Sequence, residues 1–362
     1  MADLISWDTA ERVARKVASS RQPLLATYER RALEADFAEL TAEAEELVSA
    51  ETGLRSTAGP ARARVVDRGE WVAANVESFQ RLIRPVTDKL SERLERSKSW
   101  SPLPANVSKV LTGSEVGLVL GWMSTRVLGQ YDQLLIEEER PEDQDIVYYV
   151  GPNIVSLERR YGFPRREFRL WLALHEVTHR AQFTGVPWMR GHFLGLVERT
   201  LGGIDPDPKA LLEALKRTAS VIRSGRNPLD EGGIVTLIAS PEQYEAIQEI
   251  GGLMSLLEGH GDITMDRAGA DRIPSATRFS TVLRQRRRQR GAAKVLSVLV
   301  GMDAKLRQYE QGERFIEAVE AAGGPGLLAR VWEGPTWLPT WPEIRSPQSW
   351  ITRATAAPAA AG

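Results

Sequence analysis

The sequence contains no cysteine. Disulfides, iron–sulfur clusters, thiol nucleophiles and thiolate metal sites are therefore all excluded. It holds only four histidines in 362 residues, so imidazole chemistry has few places to reside. Net charge is nearly absent too, with 47 basic and 48 acidic residues leaving −1. A general nucleic-acid or anionic-membrane binder carries a basic excess, so neither partner is expected. There is no apolar run of the length a membrane-spanning helix needs, about 18 residues or more. The N-terminal stretch MADLISWDTAERVARKV has acidic residues and no apolar centre, so it does not read as a signal peptide. These absences together give the expectation of a cytoplasmic protein. Nothing in the sequence speaks to its oligomeric state.

What is present is a globular composition, 42% hydrophobic and 26% charged, enough for one large domain or two ordinary ones. Helical periodicity dominates. It predicts helices over Thr9–Ser19, Leu24–Ser49, Ala61–Ser97 and Asn106–Leu135, and again from Ser240 to about Ala322. One stretch reads as a strand, Asp145–Val150 (DIVYYV), with a weaker candidate at Ile234–Ile238. Trp332–Trp350 is rich in Pro and Trp and reads as an irregular packed arm. The expected fold class is mainly α, a helical domain with a minimal β element. The expected organisation is a helical N-terminal subdomain over 1–105, a main domain over 106–354 and a frayed tail over 355–362, with one continuous α-rich domain over the first two as the default.

The informative segment is LWLALHEVTHRAQF, Leu170–Phe183. Residues four apart share one face of a helix, so His175 and His179 can aim their imidazoles at a single ion. Neutral imidazole is a good zinc ligand. Glu176 sits one step round, where its carboxylate can take a proton from a water on the metal and pass it to a leaving amine. Pro164 suits the start of this helix, and Gly185 with Pro187 its end. The bland alternative is a core helix with two satisfied histidines. Two imidazoles in so apolar a helix, half of the chain's total, weigh against it.

A catalytic zinc usually has three protein ligands and a water. The extended metzincin pattern fails, because Gln182 and Gly185 stand where it needs Gly and His. A better source is SLLEGHGDITMD, Ser255–Asp266, in a helix that opens with Ser240 as cap and Pro241 in the first turn. Ile247, Ile250, Met254, Leu257 and Gly261 mark its expected buried stripe. Glu258 can complete a His2Glu site. Asp262, one turn on, can accept the free ring N–H of a ligand histidine and fix its tautomer. His260 is the alternative third ligand, although it points elsewhere on the helix. Gly251, Gly252, Gly259 and Gly261 each weaken a helix by about 1 kcal/mol against Ala, so the close approach of another helix is expected.

The run His175-Glu176-Val177-Thr178-His179 with Glu258 and Asp262 resembles the gluzincin arrangement of thermolysin-like peptidases. More closely, the stretches VLGWMSTRVLGQYD (Val119–Asp132), LHEVTHRAQF (Leu174–Phe183), LMSLLEGHGDITMD (Leu253–Asp266) and KLRQYEQGERFIEAV (Lys305–Val319) resemble the actinobacterial zincin-like metallopeptidase family. That family is often labelled as associated with coenzyme F420 biosynthesis, a genomic association and not a mechanism. The resemblance implies a zinc site and a zincin-like helical domain with its active centre; with the HExxH helix it gives the expectation of one zinc ion per chain and of a peptide or protein substrate. Thermolysin-like enzymes hold substrate against a sheet edge, and DIVYYV is the candidate for that edge here.

Other features have bland readings that carry more weight. Arg284–Arg290 (RQRRRQR) reads as a solvated helix end, with no interleaved aromatics to suggest a nucleic-acid patch. Tyr309, with Arg307, can stabilise an oxyanion but reads more simply as a packing tyrosine. His192 lines a cleft or caps a helix. The leading expectation is a zinc-dependent hydrolase, a metallopeptidase with Glu176 as general base. The rival is a non-catalytic zinc-stabilised binding or scaffold protein, in which the ion clamps two helices.

Overall fold

The computed structural model describes residues 5–20, 25–97, 105–131, 145–202, 241–288 and 302–356. The weaker strand candidate Ile234–Ile238 and the expected cap Ser240 lie outside these residues. Among the described residues the protein is mainly α-helical with one small sheet. No described helix is long and apolar enough to cross a membrane. The chain divides into two units, Met1–Gly185 with Thr264–Phe279, and Val186–Ile263 with Ser280–Gly362.

The first unit opens with α1 (Trp7–Ser19) and α2 (Thr27–Thr52), followed by β1 (Arg62–Val66), α3 (Arg68–Ser97) and α4 (Ala105–Ser124). Next come β2 (Gly129–Tyr131), β3 (Ile146–Val150), α5 (Gly151–Tyr161) and α6 (Arg165–Thr184). The sheet runs β1-β3-β2, with β1 parallel and β2 antiparallel to β3. DIVYYV is therefore the centre of the sheet and not its edge. All five residues of β3 are buried, as a strand covered on both faces requires. Asp145 precedes it in the left-handed region, at φ 54°.

Two strands were hidden inside expected helices. β1 follows the Gly59-Pro60 break, where Gly59 has φ +89°, and its five residues are too few to overcome the helical pattern that begins at Arg68. The expected Asn106–Leu135 helix stops at Ser124, and the chain then turns into the three residues of β2. Ser124 Oγ and Thr125 Oγ1 donate to the carbonyls of Gly121 and Trp122 at 2.7 and 2.8 Å, satisfying acceptors at that helix end.

Small residues set the approach of α1 and α4. A Cβ on Gly117 would meet the Ala10 carbonyl oxygen at 2.4 Å, and one on Gly121 that of Ala14 at 2.8 Å. Behind this pair, Trp71, Val72 and Leu120 pack with Ile146, Tyr148 and Val150 as one apolar core. The sheet is thus buttressed from its helical side.

The second unit contains α7 (Met189–Gly202), most of α8 (Pro241–Ala268), most of α9 (Ala276–Arg288), α10 (Met302–Ala329), and the short α11 (Trp341–Arg345) and α12 (Pro347–Ala356). α10 is kinked at Gly324, φ 71°, just before Pro325, where a lost N–H and a clashing ring break the ladder. The Trp- and Pro-rich arm is not irregular throughout: it forms two short 3-10 turns and α11. Trp350 is fully buried and donates its Nε1 hydrogen to the Trp337 carbonyl at 2.8 Å. α8 crosses the unit boundary, its last residues from Thr264 belonging to the first unit.

Candidate metal centre

α6 carries the HExxH residues, and its position in the first unit is fixed by buried charge. Arg169 makes a two-pronged pair with Glu158 on α5, at 2.7 and 2.9 Å, and also meets Asp36 on α2. Arg180, whose side chain is 1% exposed, donates to both carboxylate oxygens of Asp145, to Glu45 at 2.5 Å and to the Gly59 carbonyl at 2.6 Å. Fork-shaped guanidinium contacts of this kind fix geometry as well as charge. Pro164 is the residue just before the helix and not part of its first turn, and Gly185 closes the other end. Between them nearly every side chain from Phe168 to Phe183 is buried, so α6 is a core helix with no solvent stripe.

Within it the two histidines converge. Their Nε2 atoms are 3.3 Å apart and the ring planes stand 82° to one another. His179 is 8% exposed and His175 half-buried. The other nitrogen of His179, Nδ1, lies 2.9 Å from the Oε1 of Gln182. An amide oxygen only accepts, so Nδ1 carries the proton and the Nε2 lone pair faces His175. At His179 a ring-orienting acceptor is Gln182, a residue not singled out from the sequence. The signal was available: Gln182 is three residues on from His179, one helical turn away on the same side.

Glu176 is buried at 7% exposure. Its Oε2 accepts the backbone N–H of Tyr131 on β2 at 3.1 Å. Gly129 on the same strand lies against the carboxylate: a Cβ there would stand 2.6 Å from Glu176 Cγ and Oε1. This strand contact was invisible to sequence reasoning, because three residues carry no readable alternation. Nearby, burial raises the Tyr149 hydroxyl far above its ordinary pKa, and the Glu176 charge adds to that push. Tyr149 therefore stays a neutral hydrogen-bonding group, 2.9 Å from the Thr41 hydroxyl.

In the second unit Glu258 is buried on α8, with Asp262 half-buried one turn on. The helix is held by its glycines, as expected from their cost. A Cβ on Gly252 would collide with the Pro339 carbonyl oxygen at 2.2 Å, and one on Gly259 with Gly312 of α10 at 2.4 Å. The buried face differs somewhat from the expected stripe. Ala246, Leu253, Leu256 and Leu257 are buried, whereas Ile247, Ile250 and Met254 are only partly so.

His260 is buried with its ring edge-on to Trp332, 5.1 Å between centroids. His192 lies within the first turn of α7 beside Trp188, and burial lowers its imidazole pKa. The Tyr309 and Arg307 side chains lie outside the described residues, as do those of the basic run beyond Gln285; Arg284 is exposed.

His175, His179 and Glu258 are a candidate ligand group, each offering one atom of a type that binds a metal ion. Two neutral imidazoles and one carboxylate form a donor set that zinc takes. The histidine spacing also fits. Nitrogens each about 2.0–2.1 Å from a tetrahedral ion are about 3.3–3.4 Å apart, which matches the observed 3.3 Å.

The model of the family described as zincin-like metallopeptidase matches residues 5–351 of this chain. The fold is also similar to a solved structure from Chloroflexus aurantiacus, described as a presumed hydrolase with a novel fold. Identity to it is 32%, coverage is 98% of this chain and 100% of that one, and the TM-score is 0.71. No curated protein matches the chain. With a match that spans nearly its whole length, the chain belongs to the zincin-like metallopeptidase family.

Proposed function

We propose that the protein is a zinc-dependent hydrolase acting on a peptide bond, with one ion held by His175, His179 and Glu258. The observation that carries this reading is the convergence of the His175 and His179 Nε2 atoms, 3.3 Å apart on the helix that also carries the buried carboxylate of Glu176, with Glu258 as the third member of the candidate ligand group. Family membership implies a metal, typically zinc. When bound, such an ion polarises a carbonyl and makes a coordinated water acidic enough to deprotonate near neutral pH.

The remaining work falls to the chain itself. Gln182 holds the His179 ring in the tautomer whose Nε2 presents a lone pair for ligation. Glu176 accepts a proton at its carboxylate from the attacking water and returns it to the departing amine. Burial of this carboxylate keeps competing solvent away from it. Asp262, one turn beyond Glu258, is proposed to accept the free ring N–H of a ligand histidine. A peptide or protein is the proposed substrate.

The test is hydrolysis of a peptide library by the parent and by Glu176→Gln. The expected result is turnover in the parent and a loss of at least about a hundredfold in the variant, with zinc content unchanged in both. Turnover that survives Glu176→Gln would remove the base from the mechanism. A parent that binds zinc but cleaves nothing would favour the scaffold reading.

A further inference from the structure

We infer that β2 is the element that positions the Glu176 carboxylate, through the Tyr131 backbone N–H and the missing side chain of Gly129. The inference rests on the reading of Glu176 as the base, and it identifies what aims that base.

The register of the sheet explains why β2 can do this. Val150 N–H donates to the Leu128 carbonyl at 2.8 Å, so 128 and 150 form a hydrogen-bonded pair across the antiparallel ladder. Pairs alternate along such a ladder. Gly129 opposite Tyr149 and Tyr131 opposite Val147 are then the pairs whose backbone groups turn away from β3. Among the described residues β2 has no strand on its other side, and it is there that Glu176 Oε2 takes the Tyr131 N–H at 3.1 Å.

Gly129 matters for space and not for backbone freedom. A Cβ there would stand 2.6 Å from Glu176 Cγ and Oε1 and 2.8 Å from Cδ. Of the groups in conflict, the carboxylate end is the one able to swing aside. An alanine at 129 would therefore dislodge the carboxylate while leaving the strand in place. Gly129 and Tyr131 are positioning residues: they touch the base and not the substrate.

The test is amide hydrogen exchange on the full chain, selectively labelled at tyrosine and valine, with and without added zinc. In Gly129→Ala the Tyr131 amide should exchange about ten to a hundred times faster, the range expected for losing a bond to a charged acceptor. The Val150 amide, which reports the ladder, should stay within about twofold. Glu176→Ala should speed Tyr131 by the same factor, and the double variant should add nothing further. Glu176→Gln, which keeps an acceptor oxygen, should retain most of the protection.

Unchanged Tyr131 exchange in Gly129→Ala would overturn the inference. So would equal acceleration at Tyr131 and Val150, which means the strand itself has opened, or additive effects in the double variant. Where the parent hydrolyses peptide, Gly129→Ala should lower kcat about ten- to a hundredfold with KM within about twofold, and an unchanged kcat would also overturn it. A parent without turnover would sink the hydrolase reading alone, because the exchange pattern still decides whether β2 holds the carboxylate.

Discussion

The helix that carries the two histidines and the helix that carries Glu258 are each fixed within their own unit, but by opposite means. α6 is pinned by charge: Arg169 and Arg180 are buried among carboxylates from α2, α5 and the start of β3. α8 is fixed by the absence of side chains, with Gly252 and Gly259 letting neighbouring backbone come so near that a methyl group would collide. Buried ion pairs fail badly when one partner is removed, because the other is left charged without compensation. Glycine contacts fail when volume is added. The two helices should therefore have different weak points, and substitutions that exchange charge for volume should tell them apart.

The largest effect is expected at Arg180. Arg180→Met keeps most of the volume but strands the carboxylates of Asp145 and Glu45, at a cost of about 3–5 kcal/mol. Denaturant unfolding should show it. It should also release Asp145 from its left-handed backbone, seen as a shifted amide resonance there. A loss below about 1 kcal/mol would mean that α6 is held by packing, and the contrast with α8 would collapse.

A smaller loss is expected at Gly312, where a Cβ would lie 1.9 Å from the Ser255 carbonyl oxygen on α8. Gly312→Ala gains about 1 kcal/mol of helix propensity but should still lose about 1–3 kcal/mol net through overpacking. A stabilised variant, judged by its unfolding midpoint, would show that the two helices can part without penalty.

Gln182→Ala sharpens the comparison from the side of the metal. Freed of its acceptor, the His179 ring can turn or change tautomer, and zinc affinity should fall about 10- to 100-fold. Competition with a chelator measures this. Affinity within about twofold of the parent would return the orienting role to another group.

The smallest effect is expected where the second unit does use charge. Glu343 accepts from Arg353 at 2.9 and 3.1 Å and from the Thr340 N–H at 2.9 Å, closing the N-terminus of α11. Burial pushes its pKa up, but the bonds from Arg353 and Thr340 outweigh it, and the net shift is downward. A lowered carboxylate pKa adds stability above the unfolded value, about 4.3, and that stability disappears as the pH falls through the folded value. Glu343→Gln should cost no more than about 1 kcal/mol at neutral pH and remove this acid-limb dependence. A loss as large as that at Arg180 would show that charge is as decisive in the second unit as in the first.

Much of this was legible in the sequence, for identifiable reasons. The helical class followed from long periodic stretches, and His175, Glu176 and His179 from spacing that only a helix makes chemically meaningful. Glu258 was singled out by its place four residues before Asp262 on a glycine-rich helix, and the close packing those glycines foretold is met at Gly252 and Gly259. The misses share a cause. β1 and β2 are five and three residues long, too short to show a period against helical flanks. The pairing that makes β3 central joins segments distant in the chain, and no local pattern encodes it. The contact of β2 with Glu176 depends on that pairing, so it was hidden as well.

The most direct test of the account is the zinc content of protein purified without chelator or added metal, measured beside Glu258→Ala and His260→Ala. About one zinc per chain is expected in the parent, lost in Glu258→Ala and kept in His260→Ala. No zinc in the parent even after zinc is offered, or zinc kept in Glu258→Ala and lost in His260→Ala, would contradict it.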